Sequence, residues 1–333
     1  MTAATAELQI ALAAVLREPL GGPVQVKDLK RLPGGASRTT WSCEAVPVDG
    51  GPAVPLVFQQ ERPGGARTGG GMAVEARVLR AAQAAGVPVA DVVVAAGDPA
   101  ARSAEVDLDL PWLVMRRIDG ETVPRRIFRD ETLAEARAAV TAQCGVALAA
   151  IHAIDPSAIP GLESPDRLDQ HRELLDQLGE PHPAFELGLR WLHANRPPSD
   201  PRARVVHGDF RTGNLIIGPD GLRAVLDWEL AHRGDPLEDL GWFCIRAWRF
   251  GSPLPAGGFG TREELVEAYE SASGATVDLD ALRWWEVMGT FTWGVICMVQ
   301  AETHRSGLSR SVELAAIGRR VCETEHDLLA LLP

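Results

Sequence analysis

One stretch of the 333-residue chain gathers side chains able to do chemistry: His207-Gly208-Asp209-Phe210-Arg211-Thr212-Gly213-Asn214, then Leu226-Asp227-Trp228-Glu229. Asp209 and Asn214 stand five residues apart on one polar loop, so both can face a single cleft. The residues between Asn214 and Asp227 read as strand, turn and strand, with Gly218-Pro219-Asp220-Gly221 as the turn. Such a hairpin returns Asp227 to the end of the loop, where two carboxylates and one amide would converge. Magnesium takes oxygen ligands and keeps several waters. Asn214 and Asp227 can supply two oxygens, leaving Asp209 free to accept a proton from a hydroxyl. Phosphoryl transfer needs such positioning and charge neutralisation more than covalent help.

The elements that must position this loop fall into two halves. Residues 5–18 read as an amphipathic helix, and residues 24–32 lead into Pro33-Gly34-Gly35-Ala36-Ser37. Residues 38–46 and 54–60 read as strands, separated by Asp49-Gly50-Gly51-Pro52. A Gly- and Pro-rich loop from Arg62 to Gly71 precedes a helix over 72–85, stopped by Gly86 and Pro88. Strands over 90–95 and 112–118 complete an α+β half on a mostly antiparallel sheet. After Asp119-Gly120-Glu121 the pattern turns helical, over 131–153, 171–178, 183–195 and from about 237 onward. Short strands at 205–206, 215–217 and 224–226 form an island inside it.

Composition bounds the rest. Hydrophobic residues at 46% and charged residues at 23% describe an ordinary folded chain, long enough for two lobes. The formal net charge of −12 repels nucleic-acid backbones, and a soluble acidic surface is its plain reading. Five cysteines, odd in number and without a C-x-x-C pair, argue against disulfides or zinc and for a reducing cytoplasm, and each sits among apolar neighbours as a core residue. The apolar run Val287–Val299 is too short to span a bilayer and reads as a buried helix. The amino terminus lacks a basic signal-peptide region.

The loop and the Leu226–Glu229 segment resemble the aminoglycoside phosphotransferase and choline kinase-like family, relatives of the protein kinases, through H-G-D-x-x-x-x-N and [IL]-D-W-E. Arg211, Gly213 and the run His232-x-Gly234-Asp235-Pro236-x-x-Asp239-Leu240-Gly241-Trp242 look closest to the branch related to the kinase domains fused to acyl-CoA dehydrogenases. The likeness extends from Gly34 to at least Trp242. It implies a bilobal protein kinase-like α+β fold, with a small antiparallel-sheet N-lobe (1–117) for nucleotide. A larger, mainly helical C-lobe (118–333) would carry the catalytic loop, metal site and acceptor site. It implies ATP and Mg2+ as cofactors, a small hydroxylated molecule as acceptor, Asp209 as catalytic base, and Asn214 and Asp227 as metal ligands.

Further roles follow from the same resemblance. Gly34, Gly35 and Ser37 match a nucleotide loop, whose glycines let backbone N–H groups approach phosphates. Glu75 matches the helix glutamate of kinase folds, although a solvated helix charge accounts for it equally well. Trp112–Gly120 resembles the hinge, with Met115, Arg116 and Ile118 at positions whose backbone would read adenine. His207 would support the loop, Glu229 would lie near the metal segment, Asp235 and Asp239 would cap or brace the next helix, and His152 would be structural. Arg211 could touch a substrate anion or salt-bridge the loop. The tryptophans concentrated after Gly241 pack the core or line an acceptor pocket.

One position breaks the pattern. Where such kinases carry a Lys or Arg on the strand after the glycine loop, this chain has Gln59, and the only lysines are Lys27 and Lys30. Arg62 and Arg67 are nearby cations that could fill the gap. A charge-assisted hydrogen bond is about twice as strong as a neutral one. Gln59 therefore keeps open an alternative: a nucleotide-binding pseudokinase or regulatory module with little transfer activity.

Overall fold

Alternating side chains along the first half build a sheet with two different faces. In the computed structural model, which describes residues 3–32, 38–62, 70–104, 108–198 and 203–332, helix α1 (Ala3–Leu16) precedes strands β1 (Val24–Leu32), β2 (Arg38–Pro47) and β3 (Val54–Glu61). Helix α2 (Gly71–Ala84), β4 (Val92–Ala95), a short α3 (Pro99–Ser103) and β5 (Trp112–Arg116) follow. The strand order is β1-β2-β3-β5-β4, and every neighbouring pair is antiparallel. Successive residues of a strand point to opposite faces. Cys43, Ala45, Leu56, Phe58, Trp112 and Val114 therefore share one core, which α1 covers with Leu12, Val15 and Leu16. Leu113 and Met115 turn the other way, into the core shared with α2 and the helical half.

Strand β1 was not foreseen from sequence. Its run Lys27-Asp28-Leu29-Lys30-Arg31 looks like a loop. It forms a sheet edge, where charge is tolerated and discourages edge-to-edge pairing. Asp28, at φ 51°, accompanies a register shift between Lys27 and Lys30.

The helical half comprises α4 (Pro124–Arg129), α5 (Ala134–His152), α6 (Arg167–Leu178) and α7 (Pro183–Ala194), then β6 (Arg204–Val206), β7 (Leu215–Gly218), β8 (Gly221–Val225) and β9 (His232–Gly234), and then α8 (Leu237–Cys244), α9 (Arg262–Ser273), α10 (Leu279–Arg305), α11 (Val312–Ile317) and α12 (Val321–Leu331). The expected hairpin is β7–β8. Strand β9 has no β-rich composition; it exists because β6 needs a partner. The Val287–Val299 stretch lies inside α10, where Val287, Phe291, Val295 and Met298 pack with Phe185, Leu189 and Leu192 of α7 and Leu328 of α12. Among the described residues no helix is long and apolar enough to cross a membrane.

The segment leaving the sheet half is tied to the helical half where Glu121 and Ile217 of β7 exchange backbone hydrogen bonds of 2.8 and 3.0 Å. Gly120 makes this approach possible: a Cβ there would stand 2.4 Å from Ile216 Cγ2 and 2.9 Å from the Ile217 carbonyl. Four cysteines are buried as expected, but Cys322 is exposed, because α12 turns that side outward.

Candidate active site

The 207–214 loop is held by groups beneath it. Strand β6 delivers the chain to His207. Asp239, fully buried in the first turn of α8, accepts the His207 N–H at 2.7 Å and the Gly208 N–H at 2.9 Å. His152 Nε2 lies 3.1 Å from the same carboxylate, and its Nδ1 is 3.0 Å from the Tyr269 hydroxyl. Sequence suggests that Asp239 caps or braces α8; its carboxylate instead braces the loop. Asp235 does start that helix, accepting the Leu237 N–H at 2.9 Å. Gly208, at φ +79°, leaves no room for a side chain, since a Cβ would meet the Leu230 carbonyl at 2.5 Å.

His207 supports the loop from inside. Its Nδ1 accepts the Asp209 N–H at 3.2 Å, so its Nε2 carries the proton donated to the Leu226 carbonyl at 2.9 Å. Burial holds its pKa below the usual value, against the pull of Asp239 and Asp209, and the ring stays neutral.

Asp209 receives three side-chain donors. Trp242 Nε1–H donates to Oδ1 at 2.9 Å, Arg211 Nε lies 3.1 and 3.2 Å from the two oxygens, and Asn214 Nδ2 donates to Oδ2 at 2.7 Å. Arg211 therefore salt-bridges the loop, while its guanidinium lies 4.8 Å from the Trp248 ring centroid. Trp248 packs on Trp293 at 4.7 Å, and Trp293 lines a cavity of about 760 Å³ with Arg125, Arg246, Arg249 and Asp327.

Asp227 adopts a left-handed conformation, φ 65° and ψ 65°, as the hairpin ends; Asp is among the residues that tolerate it. The Leu226 N–H bonds the Asn214 carbonyl at 2.8 Å, which ties this end of the hairpin to the loop. Asp227 is open to solvent, yet desolvation by the protein around it, then the charges of Glu229 and Asp209, push its carboxyl up to about 7, with Arg38 opposing. Negative charge is concentrated here, as a cation site requires. Asn214 commits its nitrogen to Asp209, which leaves its amide oxygen for a ligand. One carboxylate and one amide oxygen fit Mg2+, which is usually held by one or two protein oxygens together with phosphates and water. Among the described residues no group of three or more His, Cys, Asp and Glu could hold a metal by itself.

On the amino-terminal side, Gly34, Gly35, Ser37 and Arg67 lie outside the described residues. Glu75 is 5% exposed, so it is no solvated helix charge. It faces Arg38, the first residue of β2, whose Nη1 donates to Glu75 Oε1 at 2.7 Å and whose Nη2 lies 2.7 Å from Oε2. The same Nη2 is 3.1 Å from Glu229, so Glu229 meets a sheet residue across the cleft. Gln59 Oε1 is 3.5 Å from Arg38 Nη1. Burial pushes the Glu75 carboxyl up while Arg38 pulls it back. Burial also opposes the Arg38 charge, but Glu75, Glu229 and Asp227 outweigh it and raise its pKa. Sequence reasoning passed over Arg38. The available signal was strand alternation, which puts it opposite Cys43 and Ala45 and on the face of Gln59.

At the hinge, Met115 is buried in the core below the sheet, the Arg116 side chain turns to Asp91 at 3.9 Å, and Ile118 is half-buried.

Comparison with known proteins places this geometry. Residues 28–285 match the model of the phosphotransferase enzyme family. Acyl-CoA dehydrogenase family member 11 of Gallus gallus is 32% identical over 182 residues, which is 50% of this chain and 22% of that protein. Family member 10 of Mus musculus is 30% identical over 196 residues, 54% of this chain and 17% of that one. The chain thus spans about a fifth of the length of these relatives. A protein of Ralstonia eutropha assigned to the aminoglycoside phosphotransferases superposes with TM-score 0.74 at 21% identity, covering 97% of each chain. A thermostable mutant of the aminoglycoside phosphotransferase APH(4)-Ia, solved with ADP and hygromycin B, gives 0.60 at 18% identity, covering 96% of this chain and 97% of that one. At these identities the structural likeness is one of fold, the protein kinase-like fold of these neighbours.

Proposed function

The chain belongs to the phosphotransferase enzyme family, and on that premise we propose that it moves the γ-phosphoryl group of ATP to a hydroxyl of a small molecule. Nucleotide would lie between an amino-terminal lobe, 1–117, and a carboxy-terminal lobe, 118–333. The observation that carries the reading is the Asp209 carboxylate, fixed by Trp242, Arg211 and Asn214 on the loop tied to Asp227.

Each residue then has a task. Asp209 takes the proton of the acceptor hydroxyl as its oxygen bonds to the γ-phosphorus and the bond to the β,γ-bridging oxygen breaks, releasing ADP. Asn214 and Asp227 would hold Mg2+, which would supply positive charge to neutralise the phosphate oxygens. Gly34, Gly35 and Ser37 would line the triphosphate, with Gln59 and Glu75 behind it. The backbone from Met115 to Ile118 would meet adenine. The cavity beside Trp293 offers the acceptor a place in the helical half. The four buried thiols accord with a reducing cytoplasm.

The alternative, a nucleotide-binding module without transfer, drew its support from the neutral Gln59. Arg38 beside Glu75 weakens that support, because the buried glutamate has a cation after all.

The test is a metabolite-library screen for magnesium-dependent ATP turnover. In the responding reaction Asp209→Asn is expected to lower transfer by about 10²- to 10⁴-fold, with ATP affinity almost unchanged. Asp227→Ala is expected to weaken magnesium-nucleotide binding instead. ATP binding with no turnover across a broad library would favour the module.

A further inference from the structure

Strand β3 has Gln59 where the resemblance puts a cation, yet the helix glutamate that cation should meet is buried and paired. We propose that Arg38 on β2 replaces the missing strand cation, holding Glu75 in place and setting a positive charge against the α- and β-phosphates of the bound nucleotide. The inference rests on the phosphotransferase reading.

Geometry carries the argument. In the β2–β3 register Arg38 faces Glu61 and Thr40 faces Gln59, so Arg38 and Gln59 are diagonal neighbours on one face. A side chain from either position can reach the same space. Arg38 occupies it: 7% exposed, 2.7 Å from Glu75, 3.1 Å from Glu229 and 3.5 Å from the Gln59 oxygen. Gln59 has thus become an acceptor facing the guanidinium.

Arginine suits this post better than lysine. The side chain starts one strand farther away and serves two carboxylates at once, which a forked guanidinium can do and a single ammonium cannot. Its carboxylate partners come from α2 and from the segment just after Asp227, so the one cation links the sheet half to the metal segment. Glu75, Glu229 and Asp227 lie around it. A triphosphate arriving there adds more negative charge, and Arg38 is the side chain placed to meet it.

A purely structural clasp would use the same contacts, so the test compares ligands with and without phosphates. Calorimetric titrations use the full chain, with AMP-PNP and Mg2+ or with adenosine alone. In Arg38→Met/Glu75→Gln both members of the buried pair are neutral, and Glu229, which loses Arg38 as well, is 20% exposed and keeps contact with solvent. It is expected to lose about tenfold or more in AMP-PNP affinity, the scale of one charge-assisted contact, while adenosine affinity changes less than about twofold. Arg38→Met/Gln59→Lys moves the cation to β3 and is expected to regain most of the AMP-PNP affinity. Gln59→Lys alone, with Arg38 in place, is expected to gain nothing.

Equal losses for both ligands, or none for either, would overturn the assignment and leave Arg38 a clasp. So would a failure of the relocated cation to restore binding. A tenfold gain from Gln59→Lys alone would also overturn it, and this arm leaves Arg38 and Glu75 themselves unsubstituted. If wild-type protein takes up no AMP-PNP, the phosphotransferase reading falls and Arg38 with it. If wild type binds and the variants match it, the Arg38 assignment alone is lost.

Discussion

Asp209 accepts from Trp242, Arg211 and Asn214 at once, so its orientation is set by the indole and amide around it. Trp242 is the donor supplied by another element, α8. Replacing it with phenylalanine keeps an aromatic ring but removes the N–H. A hydrogen bond to a charged group is worth about 1.5–3 kcal/mol, so Trp242→Phe is expected to lower kcat by about 10- to 150-fold. On the proposed function the KM for ATP should hold, because the indole donates to Asp209 and not to Asn214 or Asp227. Steady-state kinetics with both substrates varied would check this. A parallel loss of nucleotide affinity would mean that Trp242 holds the whole loop. At this scale Asp209, Asn214 and Asp227 were legible in the sequence because loop and hairpin are local. Arg38 was not, because its partner Glu75 comes from a different element and only the folded sheet brings them together.

The element that matters most to the loop is α8, through Asp239. Burial would push this carboxyl up, but the hydrogen bond and charge of His152, with the His207 ring and N–H, outweigh it and hold it below the usual carboxylate range. A carboxylate with a depressed folded pKa contributes stability above its unfolded value of about 3.9. That contribution is lost as pH falls through the folded value. Asp239→Asn should therefore cost about 3–5 kcal/mol at pH 7, the scale for breaking a buried charge pair. The gap to wild type should narrow as pH falls below about 4. Urea unfolding at neutral and acidic pH would measure it; a gap independent of pH would mean that Asp239 acts through packing. Most elements were readable from periodicity: β2, β3, α2 and α5 fall where alternation and helical spacing put them. Strands β1 and β9 were not, because one is charged and the other too short, and pairing alone makes them strands.

For the whole molecule, the junction at Gly120 sets how closely the sheet half approaches the helical half. Gly120→Ala would press a methyl group into Ile216 and the Ile217 carbonyl. Overpacking of this kind costs about 1–3 kcal/mol, so a lower melting temperature is expected, together with a raised KM for nucleotide as the cleft is displaced. An unchanged melt would show that the junction can spread at no cost. Thiol accessibility offers a second global check. Of the five cysteines, Cys322 is exposed and the others are buried. Native protein should react quickly with one equivalent of a thiol reagent and with the remaining four only on unfolding. Two fast thiols in the native state would contradict the packing described.

The sequence by itself determined the α+β order of elements, the loop that carries Asp209 and Asn214, and the return of Asp227, because each is written in residue patterns within short spans; the bilobal kinase-like fold came from the family resemblance. Only the tertiary structure decided which cation serves Glu75, which donor steadies Asp209, and that Asp239 holds the loop. These pairs join β2 to α2, the loop to α8, and α8 to α5. A hydrogen bond between distant segments leaves no period in the sequence; it becomes visible once packing has chosen which faces meet.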